Sequence, residues 1–336
     1  MKIKFLITVI SAVVFSQLSG CQQTEEVIIY TSHDRNISEP ILRQFERETG
    51  IHVRVVYDTE ANKTTGLVNR LIAERKIPRA DVFWNNEFIR TVHLQEFDVL
   101  SPSLPLNPVK NIFSSNSNVS FTGFAARARV FIINTNRVKD AVPKNLEDLT
   151  HKQWSEKVAF ANPHFGTTGT HFSALLSVWG EEKFRYWITA LKKNKAAMLP
   201  GNAQVRDQVV SGKYLIGLTD TDDVNSALLA KKKVQMIIPG QGSHGIGVFM
   251  IPNTVSLVKG SPNQKTGKRL FDFLLQANTE RQLANSPSAQ IPILHSVAIP
   301  SNVLDIKTLM IMETDPKEIS AQYQKMLSIF TAIWNR

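Results

Sequence analysis

The sequence predicts an α/β protein built from two doubly wound α/β lobes, and three observations carry that prediction. Short buried-type strands alternate with amphipathic helices through residues 27–84, the βαβαβ order that produces a parallel sheet with helices on its faces. The same alternation resumes over 158–238. Two apolar strands, 129–134 and 247–252, stand where the chain must cross into a second lobe and return to the first.

Each element follows from local pattern. Val27-Ile28-Ile29-Tyr30 is the first strand, and Ile37, Ile41, Leu42 and Phe45 then recur at helical spacing until Gly50 supplies a C-cap. Residues 52–57 alternate, with Val53 and Val55 on one face. Leu67, Val68, Leu71 and Ile72 mark the next helix, and Asp81-Val82-Phe83-Trp84 is a third strand ending in Asn85-Asn86-Glu87. Residues 101–120, rich in Pro, Ser and Asn, form an irregular connection. In the second lobe a strand at 158–161 precedes a helix through Ala174, Leu175, Val178 and Trp179, then a second helix over 181–194. A short helix at 202–210 and strands at 214–218 and 234–238 follow. Helices near 264–276 and 279–284 and an amphipathic tail at 317–334 complete the chain. The division is lobe 1 at 27–128 and 249–300, lobe 2 at 129–248, and a C-terminal helical segment at 301–336.

A chain of 336 residues suits two domains, and 43% hydrophobic with 20% charged residues is a globular balance rather than a disordered one. The net charge of +10 raises nucleic acid as a partner. Its basic residues are scattered, Lys231-Lys232-Lys233 reads as a solvated helix end, and no zinc-finger or RNA-binding motif is present, so nucleic acid is not expected. A basic surface suits gathering an anionic solute or lying near anionic lipid. At the start, Met1-Lys2-Ile3-Lys4 and a mostly apolar run over 5–15 form a signal peptide (1–20), too short for a transmembrane span. Leu18-Ser19-Gly20-Cys21 resembles a bacterial lipobox, which implies lipidation of Cys21, a linker over 21–26, and an exported, membrane-anchored protein facing the periplasm or cell exterior.

Catalytic patterns are missing: there is no Gly-x-Ser-x-Gly elbow, no cysteine nucleophile and no His-Glu-x-x-His pair. His33, His164, His171 and His244 lack ligand spacing, and no nucleophile accompanies His33-Asp34. Neither an enzyme nor a cofactor is expected. Two stretches suggest a ligand site instead. Asp220, Asp222 and Asp223 follow a strand and open a helix, where open α/β sheets place their crevices. They do not form an EF-hand, because Val224 and Asn225 occupy the positions that need an oxygen ligand and a glycine. Helix capping accounts for at most one of them. The second stretch, Phe165-Gly-Thr-Thr-Gly-Thr-His171, sets two glycines and three hydroxyls before a helix, a ready position for a phosphate or carboxylate. It is not a P-loop, since the Gly-Lys-Ser/Thr ending is missing. Asn202 offers either an amide donor or an N-cap.

Together with Ile29-Tyr-Thr-Ser-His33, Phe45-Glu-Arg-Glu-Thr-Gly-Ile51, Ala80-Asp-Val-Phe-Trp84, Gly201-Asn202, Val209-Val-Ser-Gly212 and Gly217-Leu-Thr-Asp220, these motifs resemble the substrate-binding components of ABC importers. The branch is that of ferric-ion, phosphosugar and phosphonate binders with the type 2 periplasmic binding protein fold. The resemblance covers residues 27 to about 295 and implies a two-strand hinge, ligand closure between lobes, no catalysis, a monomer, and permease and ATPase partners.

In ferric binders a pair of adjacent tyrosines falls where this chain has Asp222-Asp223, their ligand histidine falls on Asp34 beside His33, and their glutamate falls near Asn86 or Glu87. A ferric set here would be Asp34, Glu87, Asp222 and Asp223, without the tyrosinates that hold iron against hydrolysis. The family's anion subsite falls on Thr168, Gly169, Thr170 and Asn202. The resemblance therefore implies a small anionic solute, phosphorylated or phosphonate. Its head would be held by Thr167, Thr168, Gly169, Thr170 and Asn202, and its amine or hydroxyls by Asp222 with Asp220 and Asp223. Ser32, His33, Asp34, Asn86 and Glu87 would close from the first lobe. Trp84 would pack on the ligand or in the core. The alternatives are a ferric-ion receptor and a lipoprotein that senses a ligand for a partner protein.

Overall fold

The computed structural model describes residues 25–58, 66–102, 120–140 and 142–335. The signal peptide, Cys21, most of the linker and nearly all of the 101–120 connection lie outside the described residues. Within them the first α/β run is β1 (Glu26–Thr31), α1 (Arg35–Thr49), β2 (His52–Tyr57), α2 (Gly66–Ala73) and β3 (Val82–Asn85). Then come α3 (Ile89–Glu96), β4 (Leu100–Ser101) and the long β5 (Thr122–Asn134). The second run is β6 (Val158–Ala161), α4 (Gly166–Lys193), β7 (Ala197–Leu199), α5 (Asn202–Val210), β8 (Ile216–Asp220), α6 (Thr221–Leu229) and β9 (Val234–Ile237). β10 (Met250–Val258), α7 (Gln264–Leu274), α8 (Ala277–Asn285) and α9 (Pro316–Trp334) end the chain.

The hydrogen-bonded strand order is β2-β1-β3-β10-β5-β8-β6-β7, with β4 on β10 and β9 on β5. β1 runs parallel to β2 and β3, and β6 runs parallel to β7 and β8. Between these two parallel sets lies the antiparallel pair β5 and β10. β5 serves both sides: its first half pairs with β10, and Arg129 to Ile133 pair with β8. The two crossing strands expected from sequence are therefore present. The first starts at Thr122 rather than residue 129, because Gly123, three alanines and two arginines dilute its strand signature.

α1 buries Ile37, Ile41, Leu42 and Phe45 against Val27, Ile29, Val53 and Phe271. Each such side chain contributes about 1.5–3 kcal/mol when fully buried. Gly50 ends this helix in the left-handed conformation at φ 72°, its N–H donating to the Glu46 carbonyl, as the sequence predicts. α4 contains both expected helices, joined at a bend where Gly180 leaves helical geometry (φ 77°, ψ 168°). It begins at Gly166, so the Thr-Thr-Gly-Thr run is already helical. α3 escapes sequence reading because it is short and mixes Arg90, Thr91, His93 and Gln95 into its pattern. α9 packs Tyr323, Met326 and Phe330 into the core formed with Phe160 and Phe172, and Arg90 of α3 lies 4.9 Å over the Tyr323 ring. No described helix is long and apolar enough to cross a membrane.

Gly169 is a packing residue. A Cβ there would stand 2.3 Å from the Pro163 carbonyl oxygen and 2.9 Å from the Tyr323 hydroxyl. Gly169→Ala is expected to cost about 1–3 kcal/mol by overpacking. Denaturant titration measures this, and an unchanged midpoint would contradict the packing assignment.

Candidate functional site

A cavity of about 810 Å³ opens at the carboxyl ends of β1, β3, β6 and β8, where doubly wound sheets form their crevices. One wall is His33, Asp34, Asn86, Glu87 and Gln290. The opposite wall is the first turns of α4, α5 and α6, and Arg127 of β5 stands between the walls. Each turn arises locally in the same way: a strand ends and a helix starts within a few residues, aiming the helix N-terminus at the strand ends.

The floor is a buried ion pair. Arg129 donates to Asp220 at 2.6 Å, and both side chains are almost fully buried. Thr167 Oγ1 and Asn202 Nδ2 also donate to Asp220, at 2.8 and 3.1 Å. Arg129 in turn donates to Thr167 Oγ1, Thr168 Oγ1 and Asn202 Oδ1, each at 3.2 Å. The side chains expected to grip an anion are thus committed to a structural network. Asp220 needs these partners because a carboxylate buried without them is costly. α4 and α5 still offer their backbone. Neither N-cap residue, Phe165 or Gly201, has a side-chain capping bond, so first-turn N–H groups are left beside the cavity.

Asp222 and Asp223 lie in the first turn of α6 and line the cavity. Burial raises the Asp222 pKa, and the guanidinium of Arg127, 3.6 Å away, opposes the shift. Asp223 is pushed up to about 8, first by burial and then by the negative charges of Asp222 and Asp220. It accepts a hydrogen bond from Thr219 at 2.9 Å and faces Arg206 Nη1 at 3.6 Å. Oxygen atoms of Asp220, Asp222 and Asp223 lie within 4.8 Å of one another.

On the first wall the structure divides the expected residues. His33, Asp34, Asn86 and Glu87 line the cavity, whereas Ser32 does not. Ser32 accepts from the Asn86 N–H at 3.0 Å and donates to Asn85 Oδ1 at 2.5 Å, fixing the loop after β3. His33 Nε2 lies 2.9 Å from Gln290 Nε2. Trp84 is wholly buried between His33 and Phe124, which places it in the core. Glu87 caps α3, accepting from the N–H groups of Ile89 and Arg90 at 2.8 and 2.9 Å, and burial raises its pKa. Thr170 and Gly169 do not line the cavity, and Thr170 instead donates to Glu87 at 3.4 Å. His171 is a core residue stacked on Phe249, and burial holds it neutral, its pKa well below the ordinary value.

Sequence reading misses Arg127, Arg129, Arg206 and Gln290. The first two carried a usable signal. Arginines two apart on a strand share one face, and on a strand buried from Gly123 to Asn134 that face must supply acidic partners. Arg127 finds them, 3.3 Å from Asp220 and 3.6 Å from Asp222, while also donating to the Asn86 carbonyl across the cavity.

Comparison with known proteins bears on the fold and the family. The chain is 25% identical to iron uptake protein A1 of Synechocystis over 322 residues, 88% of this chain and 87% of that one. Its fold matches a ferric binding protein from Campylobacter jejuni, with a TM-score of 0.81 at 20% identity over 91% of this chain and 99% of the other. It also matches a periplasmic binding protein from Actinobacillus pleuropneumoniae with exogenous fructose-6-phosphate bound, with a TM-score of 0.76 at 17% identity over 93% and 99%. The fold is that of the type 2 periplasmic binding proteins. Residues 41–308 match the bacterial extracellular solute-binding protein family, and the chain belongs to that family.

Proposed function

We propose that this protein is the extracytoplasmic receptor of an ABC importer, lipid-anchored through Cys21, and that it captures a small phosphorylated or phosphonate solute bearing an amine or hydroxyls. The solute would lie between a lobe of residues 27–128 with 249–300 and a lobe of 129–248. One observation carries the reading: uncapped N-termini of α4 and α5 face the cavity together with the carboxylates of Asp222 and Asp223. Helix N-termini attract an anionic head through free N–H groups and the helix dipole. The aspartates accept hydrogen bonds from donors at the other end of the solute. The fructose-6-phosphate bound by the Actinobacillus protein has this division of charge.

The ferric reading is supported by the three clustered aspartates and by the names of two similar proteins, one for iron uptake and one for ferric binding. Against it, none of the chain's five tyrosines lines the cavity, and Glu87 is engaged in capping α3.

Mass spectrometry of solute released on denaturing the purified mature protein separates the two readings. The expected result is an organic phosphate or phosphonate; one equivalent of iron with no organic anion would overturn the proposal. Asp222→Asn is expected to remove most of the thermal stabilisation produced by that released solute while the ligand-free protein stays folded. Undiminished stabilisation would move the ligand elsewhere.

Titration of Asp223 gives a further test. Its pKa rises from 3.8 to about 8 on folding, so between those values the folded state binds more protons than the unfolded chain. The corresponding stability is complete below the lower value and lost as pH rises through the upper one. Denaturant titrations across this window are expected to show stability falling with pH in the ligand-free protein, and a flatter profile in Asp223→Asn. Equal slopes in both proteins would exclude Asp223 as the source.

A further inference from the structure

The cavity presents a contradiction that its charges resolve. Asp220, Asp222 and Asp223 hold carboxylate oxygens close enough to share one cation, and Asp34 and Glu87 line the same space. Metal sites of this oxygen-rich type depend on an excess of negative charge around the ion. Arg127 removes that excess. Its Nη1 lies 3.3 Å from Asp220 and 3.6 Å from Asp222, and its Nη2 donates to the Asn86 carbonyl. Burial works against the charge on Arg127, but Asp222, Asp220, Asp223 and Asp34 outweigh it and raise its pKa. A guanidinium cannot be deprotonated to make room for a metal, as a lysine or histidine could. Arg129 and Arg206 add positive charge beside Asp220 and Asp223.

We propose that Arg127 is a built-in counter-ion that keeps metal cations off the Asp220–Asp222–Asp223 cluster and reserves the cavity for organic solutes. A metal ion would have to sit against a fixed positive charge. A solute amine or hydroxyl need only share Asp222, whose second oxygen, Oδ1, is buried and without a hydrogen-bond partner. The same guanidinium attracts the solute's anionic head. The inference rests on the proposed function for its placement of the solute in this cavity, but its test does not require that solute.

Terbium(III) alone, followed by its luminescence and by calorimetry, is the probe. The proteins are the mature wild type, Asp222→Asn, Arg127→Gln, Arg127→Met, Arg127→Lys and the double variant Arg127→Gln/Asp222→Asn. The neutral single variants are expected to bind terbium tenfold or more tighter than wild type, a difference of about 1.4 kcal/mol or more. Arg127→Lys is expected to stay near wild type, and the double variant to lose the gain. Wild-type binding that Asp222→Asn abolishes would overturn the inference and favour the ferric reading. No gain in folded neutral variants would overturn this inference while leaving a co-purified organic anion as support for the proposed function. Failure of both neutral variants to fold would overturn it too, making Arg127 a requirement of the fold rather than of selectivity.

Discussion

The buried pair of Arg129 and Asp220 is the constraint around which the site is arranged. Two charges taken out of water are tolerated only when paired and hydrogen-bonded, and removing one partner of such a pair costs about 3–5 kcal/mol. Here the pair joins the middle of β5 to the carboxyl end of β8, which are already neighbours in the sheet. Besides Arg127 and the Leu218 carbonyl, its hydrogen-bond partners are Thr167 and Thr168 of α4 and Asn202 of α5. A single electrostatic requirement thereby fixes the positions of two helix N-termini relative to the sheet. The cavity wall is a consequence of satisfying a buried charge.

That arrangement decides which groups remain for a ligand. The Thr167 hydroxyl and the Asn202 amide are engaged by the pair, and Thr168 Oγ1 accepts from Arg129, so the donors that α4 and α5 leave beside the cavity are chiefly main-chain N–H groups. Such donors lose no side-chain rotamer freedom on binding, which favours affinity through preorganisation. The carboxylates behave in the opposite way. Asp222 and Asp223 are packed close to each other and to Asp220, and burial and mutual repulsion raise their pKa values. A positive or donor group arriving beside them opposes that shift and favours their charged form.

Much of the fold was legible because it rests on local periodicity. The strands of both parallel sets except the three-residue β7, the α1 C-cap at Gly50 and the break between two helices at Gly180 all follow from short-range pattern. The location of the cavity was legible too, since strand ends that open helices are where doubly wound sheets form crevices. Individual roles were less so. Thr170 and Gly169 belong to the same motif as Thr167, yet helical geometry rotates them away from the cavity toward Glu87 and Tyr323. A motif read as a loop presents all its residues to one place, whereas a helix turns successive residues by about 100°. The spacing of Arg127 and Arg129 signals a charged buried face, but the role of Arg127 is not local. Its meaning lies in partners ninety or more residues away, and no window of sequence contains both.

The crossing strands show why site and fold cannot be separated here. Between Pro252 and Asn253 the register of β10 against β5 shifts, and Ala125 is the extra residue, held at φ 33°. A bulge leaves its extra residue without a ladder partner. Glu280 supplies one, accepting the Ala125 N–H at 2.8 Å and those of Ile293 and Leu294 at 2.9 and 2.8 Å. Asn253 bonds the Phe124 and Ala125 carbonyls and also Gln290 Oε1, at 2.7 Å. Gln290 then meets His33 and lines the cavity. Two hydrogen bonds therefore link the first wall of the site to the irregularity in the strands that join the two parallel sets. Opposite Pro252, which cannot donate to a ladder, the Ala126 carbonyl accepts from the Ile291 N–H instead, so the segment that carries Gln290 into the cavity wall is itself paired to β5 at this crossing.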